Sequence, residues 1–139
     1  MQEPCVFCGI AGWTEPASVV YEDELTMAFI GLRQFHPGHT LVIPRQHFAD
    51  VRDLDDATGA ALMATVIRVT RAVGKTFGGE GMSLWHSIGP AAFQEVPHLH
   101  IHVHPRRHDD DFLRVYPGEI PTSVKVDRDR YAERLRQYL

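Results

Sequence analysis

HLHIHVHPR, residues 98–106, sets His98, His100, His102 and His104 in alternation with Leu99, Ile101 and Val103, and closes on Pro105 and Arg106. Alternation at period two is the pattern of a β-strand, whose successive side chains point to opposite faces. It predicts four imidazoles on one face of a strand and three apolar side chains turned towards a core on the other. Imidazoles this close together oppose one another's protonation, so the comb is expected to stay largely neutral. A neutral imidazole is a metal ligand or a nucleophile through whichever ring nitrogen keeps its lone pair. Nine histidines occur among the 139 residues. His36, His86 and His108 belong to no such pattern and read as ordinary surface or core residues.

Working outward from the comb, GMSLWHSIG (Gly81 to Gly89) reads as another strand, and Gly89-Pro90 opens a loop back to the histidines, so the two are expected to pair antiparallel. Upstream, Leu62, Val66, Val69 and Val73 recur at helical spacing between Asp53 and Gly79. Asp53, Asp55 and Asp56 suit a helix N-terminus and Gly78-Gly79 its stop, which predicts one long helix. HTLVIP (His39 to Pro44) is an apolar strand behind a Pro37-Gly38 turn. Val19 to Glu22 and Met27 to Ile30 read as a hairpin turning at Asp23 and Glu24. Beyond Asp109 the chain is acidic and punctuated by proline until Asp127, which suits the cap of a last helix with Tyr131, Leu135 and Tyr138 on one face, available to its own domain or to a partner. The expected class is α+β: an antiparallel sheet of about five strands, one long helix over a face, and a C-terminal helix. A chain of 139 residues fits a single domain, 1–139, with 107–139 as a C-terminal extension.

The formal net charge is −4 and the signs are mixed, so there is no basic stripe for nucleic acid and no polybasic surface for a membrane. No run of eighteen apolar residues occurs, and MQEPCVFCGIAGW has an early acid and no long apolar core; a soluble, cytoplasmic protein is expected. Cys5 and Cys8 are the only cysteines. They are too close to close a stabilising loop, and in a reducing compartment they read as metal ligands or as inert thiols.

HLHIHVHPR, with Gln94-Glu95-Val96 ahead of it, together with PGHTLVIPRQH at residues 37–47, resembles the histidine triad superfamily of nucleotide hydrolases and transferases. The resemblance implies an antiparallel sheet with flanking helices, paired as a homodimer, and a purine nucleotide or dinucleotide as substrate. It makes His100 the nucleophile that attacks the α-phosphorus, forming a nucleotidyl-histidine that water then hydrolyses. His102 would donate hydrogen bonds to phosphate oxygens and His39 would support the triad. Some bacterial members carry a structural zinc, which here implies Cys5, Cys8, His47 and His98 as ligands and residues 1–15 as a zinc-binding N-terminal segment; two thiolates and two imidazoles are a tetrahedral zinc set. Phe7, Ile10, Phe29 and Leu32 match apolar positions of the family's base pocket, ordinary core packing being the other reading. Ser87 and Gln94, with His102, match phosphate-contacting positions.

Several residues depart from the family's pattern. Gly31 replaces an acidic ribose ligand, Ser87 an amide side chain, and Phe93 a glycine; Glu95 stands where serine is usual, and a carboxylate beside a phosphate must point away. With Gly31 there, similar use of ribo- and deoxyribonucleotides is expected. His104 replaces an aliphatic residue and reads as a solvated strand end or a leaving-group contact. Two other functions compete. One is a dimeric nucleotide-binding interaction protein with vestigial chemistry, which His39, His100 and His102 argue against. The other is a mononuclear metal enzyme built on the four-histidine strand, which lacks a suitably spaced carboxylate and leaves PGHTLVIPRQH unexplained.

Overall fold

A computed structural model describes residues 4–112 and 114–139; residues 1–3 of the expected zinc-binding segment and residue 113 of the extension lie outside the described residues. The elements run α1 (Val6–Ala11), β1 (Val19–Glu22), β2 (Thr26–Ile30), β3 (Thr40–Pro44), α2 (Asp56–Phe77), β4 (Gly81–Trp85), β5 (Ile101–Arg106) and α3 (Lys125–Arg136), with single 3-10 turns at Val51–Asp53 and Pro90–Ala92. The strands form one antiparallel sheet in the order β1-β2-β3-β5-β4. The histidine strand therefore lies inside the sheet, between β3 and β4.

Alternation along the chain divides the sheet into two faces of different chemistry. Ala28, Val42, Leu99 and Val103 pack beneath Leu62, Val66, Val69 and Val73 of α2, with Ile101 partly buried against them. On the other face Met27, Phe29, Leu41 and Ile43 pack with Phe7, Ile10 and Ala11 of α1. The helix α2 starts where Asp55 accepts a hydrogen bond from the Thr58 amide at 3.1 Å and stops at Gly78, which has φ 64°. Asp53 lies in the preceding 3-10 turn, so of the three aspartates it is Asp55 that caps. The β1–β2 turn is closed by Asp23, whose Oδ1 accepts from the amides of Leu25 and Thr26. Gly38 has φ 110°, and a Cβ there would come 2.6 Å from the Phe77 ring, so the Pro37-Gly38 turn admits glycine for two reasons.

Three expected elements change their limits. The ladder of β5 begins at Ile101; His98 to His100 lead into it as extended chain tied by the Leu99 amide to the Phe48 carbonyl at 2.7 Å. The strand at Gly81 ends at Trp85, because His86 to Gly89 turn away from the ladder towards the Pro90–Ala92 turn. Val124, not Asp127, occupies the N-cap of α3, and Asp127 sits in its first turn. Tyr131, Leu135 and Tyr138 are exposed, and no residue of α3 is buried. The short helix α1 has no counterpart in the sequence reading, since six residues are too few to show a helical period. Among the described residues no helix is long and apolar enough to cross a membrane.

Leu62 is 2% exposed at the centre of the α2 interface. Leu62→Ala is expected to cost about 2–5 kcal/mol, through lost burial and the cavity left behind. Urea unfolding followed by circular dichroism checks this, with an unchanged m-value showing that native stability is what moved.

Candidate active site and metal cluster

The comb forms as the alternation requires: His100 and His102 lie with ring centroids 5.0 Å apart, and His39, just ahead of β3, lies 5.1 Å from His102 and 4.6 Å from His104. These imidazoles are sheltered from water. His98 and His104 are wholly buried and His100 nearly so. Burial is the first cause that lowers the pKa of His39, His98, His100, His102 and His104, and neighbouring imidazoles lower several further. His102, facing His100, His39, His104 and His86, falls to about 3.

Backbone carbonyls assign the ring protons. A carbonyl only accepts, so His100 Nδ1, 2.7 Å from the His98 carbonyl, carries a hydrogen and leaves the lone pair on Nε2. By the same logic His39 donates from Nδ1 to the Arg33 carbonyl at 3.3 Å, and its Nε2 accepts from His102 Nδ1 at 2.8 Å. His102 Nε2 is then the atom left to face a ligand. The Phe7 ring meets His100 edge-on at 5.1 Å and shields it.

A second cluster lies at the start of the comb. His98 donates from Nε2 to the Pro44 carbonyl at 2.9 Å, which turns Nδ1 towards Cys5 Sγ at 3.4 Å and Cys8 Sγ at 3.5 Å. His47 Nδ1 lies 3.3 Å from Cys8 Sγ. The four donor atoms all lie within 4.8 Å of one another. Without a cation, burial and the neighbouring Cys5 push the Cys8 thiol up to about 11. A bound cation reverses that penalty, and the donor chemistry fits zinc.

The positions expected to contact nucleotide divide. Phe7, Ile10 and Phe29 belong to the buried cluster beside the comb. Leu32 is fully exposed and apart from it. Gln94 bridges its own loop, accepting from the Gly89 amide and donating to the Ala49 carbonyl, both at 2.9 Å, so its amide braces the loop. Ser87 is half-buried in that loop. Phe93 adopts a left-handed conformation, φ 63° and ψ 35°, which explains why glycine suits this position. Glu95 points outward to Arg33 at 3.7 Å. Gly31 leaves no room to spare: a Cβ there would lie 3.3 Å from His39 Nδ1, so a side chain at this position would press on the His39 imidazole.

Two features escaped the sequence reading. No sequence pattern links His36 to a distant residue, yet its Nε2 lies 3.1 Å from Asp110, which also binds Arg106 through both oxygens. These contacts hold Phe112 stacked on His104 at 4.2 Å. Trp85 lies flat on His102 at 4.2 Å, placed there by a register that the sequence does not display.

The chain matches the HIT domain over residues 14–109 and belongs to the HIT family. It is 39% identical over 129 residues to an uncharacterized HIT-like protein of Mycobacterium tuberculosis, covering 93% of this chain and 87% of that one. It is 32% identical over 119 residues to adenosine 5'-monophosphoramidase hnt1 of Schizosaccharomyces pombe, covering 86% of each. A Zn-bound histidine triad family protein from Mycobacterium smegmatis has a similar structure, with TM-score 0.71 and 40% identity over 82% of this chain and 84% of that one.

His104 is not the solvated strand end that its position suggested, because Phe112 and the loop before it cover it. Its Nδ1 donates to the Pro105 carbonyl at 2.8 Å, and its buried Nε2 has no partner among the described residues. Burial lowers its pKa to about 4, against an ordinary 6.5. Between those values the unfolded chain takes up a proton that the folded one refuses, so stability falls as pH drops from 6.5 towards 4. His104→Leu is expected to make that fall shallower and to leave stability at pH 7 unchanged or improved. Thermal melts across pH 4–8 check it.

Proposed function

We propose that the protein hydrolyses the bond between the α-phosphate of a purine nucleotide and its leaving group, through a nucleotidyl-His100 intermediate. The observation that carries the reading is the hydrogen bond from His100 Nδ1 to the His98 carbonyl, which presents the Nε2 lone pair beside His102. His100 Nε2 attacks phosphorus, a P–N bond forms, and the bond to the leaving group breaks while His102, protonated at Nε2 in the substrate complex, gives that atom its proton. Water then attacks phosphorus and gives a proton to His102 Nε2, now neutral, while the P–N bond breaks and returns its electron pair to His100 Nε2; the nucleoside monophosphate leaves and both imidazoles are restored. Dinucleoside polyphosphates and nucleoside phosphoramidates both present the required α-phosphate; similarity to the Schizosaccharomyces pombe adenosine 5'-monophosphoramidase supports the phosphoramidate. Phe7, Ile10 and Phe29 would border the base, and Ser87 with His102 the phosphate.

In the same reading the protein is of the bacterial zinc-binding type, with a structural zinc on Cys5, Cys8, His47 and His98 that ties α1 to the start of the comb. The zinc-bound relative from Mycobacterium smegmatis supports this. Thiol ligands suit a reducing compartment and hence the cytoplasm. A homodimer is supported by β4, an edge strand, and by Met63, Ile67 and Leu84, exposed apolar residues on α2 and on that strand.

His100→Asn is expected to lower kcat on adenosine phosphoramidate by about 10³-fold or more, with AMP affinity held within about threefold, since the nucleophile is lost and the binding contacts are not. Stopped assays and calorimetry measure the two. Mass spectrometry of the quenched unmodified enzyme is expected to show an adenylyl adduct on His100, and substantial activity in His100→Asn overturns the mechanism.

Elemental analysis of protein purified without chelator is expected to find one zinc per chain, and Cys8→Ser to lose it. Zinc at a hundredfold over its dissociation constant contributes about 2.7 kcal/mol, so chelated protein is expected to melt about 5–10 °C lower. Metal-free protein with both thiols open to titration would sink the zinc site and leave the catalytic reading standing.

A further inference from the structure

Trp85 is the large side chain that touches the reacting imidazoles without a role in the chemistry above. The β4–β5 register sets it directly opposite His102. Its indole lies parallel to the His102 ring within 9°, at 4.2 Å between centroids, and also overlies His39 at 5.8 Å and 27°. The two imidazoles are joined by the 2.8 Å bond from His102 Nδ1 to His39 Nε2 and lie within 24° of a common plane. One flat surface thus spans both rings of a hydrogen-bonded pair.

Building on the hydrolase reading, we propose that Trp85 is a positioning residue, an aromatic platform that holds His102 and His39 coplanar so that His102 Nδ1 stays bonded to His39 and His102 Nε2 faces the reacting phosphate. The need for a platform follows from the side chain itself. Rotation of an imidazole about its last side-chain bond is broad and only loosely two-fold, so rotamer preference does not orient the ring. His100 meets His102 at 66° and His104 meets His39 at 49°; such edge-on and tilted neighbours do not define a plane. Trp85 does.

Charge points the same way. His102 must hold a proton at Nε2 before it can pass one to the leaving atom, after which it is neutral again. The groups around it are His100 just ahead of β5, His104 on β5, His39 ahead of β3 and His86 after β4, all imidazoles, and together with burial they disfavour that proton in the free protein. An indole face attracts a cation lying flat against it. Substrate phosphate supplies the remaining negative charge, and the platform keeps the charged ring aimed at it.

Trp85→Phe and Trp85→Leu test the proposal, since phenyl keeps a flat face and leucine does not. With adenosine phosphoramidate, Trp85→Phe is expected to stay within about threefold of the unmodified kcat, and Trp85→Leu to lose about 10- to 100-fold in kcat with KM changed by less than about threefold. A second readout needs no turnover. In the free, imidazole-labelled protein, nuclear magnetic resonance is expected to show a slowly exchanging His102 Nδ1 proton that persists in Trp85→Phe and is lost in Trp85→Leu. If Trp85→Leu does not fold, Trp85→Met takes its place. A leucine or methionine variant that keeps the proton resonance overturns the proposal whatever its turnover, as does a phenylalanine variant impaired as severely as leucine. If the unmodified protein hydrolyses no nucleotide, the hydrolase reading falls, and the imidazole proton alone decides the role of Trp85.

Discussion

Strand β5 has a neighbour on each side and incompatible chemistry on its two faces. Val103, with Leu99 of the extended chain leading into the strand, is buried under α2, while His102 and His104, with His100 of that lead-in, line the opposite surface. A slip of one residue against β3 would drive imidazoles into the apolar layer and expose the aliphatic side chains to the comb. Pairing to both β3 and β4 makes that slip costly twice over. The placement of the histidine comb, to which the other candidate groups are brought, descends from this one register.

Once the imidazoles are gathered on a sheltered face, the backbone decides what each can do. The carbonyls of Pro44, His98, Arg33 and Pro105 accept from His98, His100, His39 and His104 in turn. Each of these bonds pins a ring proton and sends the lone pair out of the other nitrogen. Hence His98 directs Nδ1 towards two thiols, His100 keeps its lone pair on Nε2, and His104, stacked against Phe112, keeps an Nε2 with no partner among the described residues. Burial makes the arrangement workable, since it holds the rings neutral, and a neutral ring keeps the lone pair that a ligand or a nucleophile needs.

Much of this was legible in the residues. Period two in HLHIHVHPR anticipated both faces of β5, and helical spacing of Leu62, Val66, Val69 and Val73 anticipated the helix that covers one of them. The family resemblance named His39, Cys5, Cys8 and His47, and the structure brings them to the comb from three separate segments. Less legible were the loops. His104 looked like an exposed strand end because nothing in its neighbourhood shows that Asp110, bound by Arg106 and His36, folds Phe112 back over it. The resemblance grouped Leu32 with Phe7, Ile10 and Phe29; those three are buried together, and the segment that follows β2 leaves Leu32 exposed, which no local pattern records.

The sequence by itself determined what is periodic: strand, helix, the imidazole face, and the thiol pair at residues 5 and 8. Periodicity records which side of an element a residue occupies, because backbone geometry repeats locally. Only the tertiary structure decided which elements touch. The order β3-β5-β4, the indole of Trp85 flat on His102, the carbonyl that each imidazole finds, and the closure of residues 107–112 over His104 all depend on strand register and loop path. Those are set by contacts between residues tens of positions apart, and no local repeat records them.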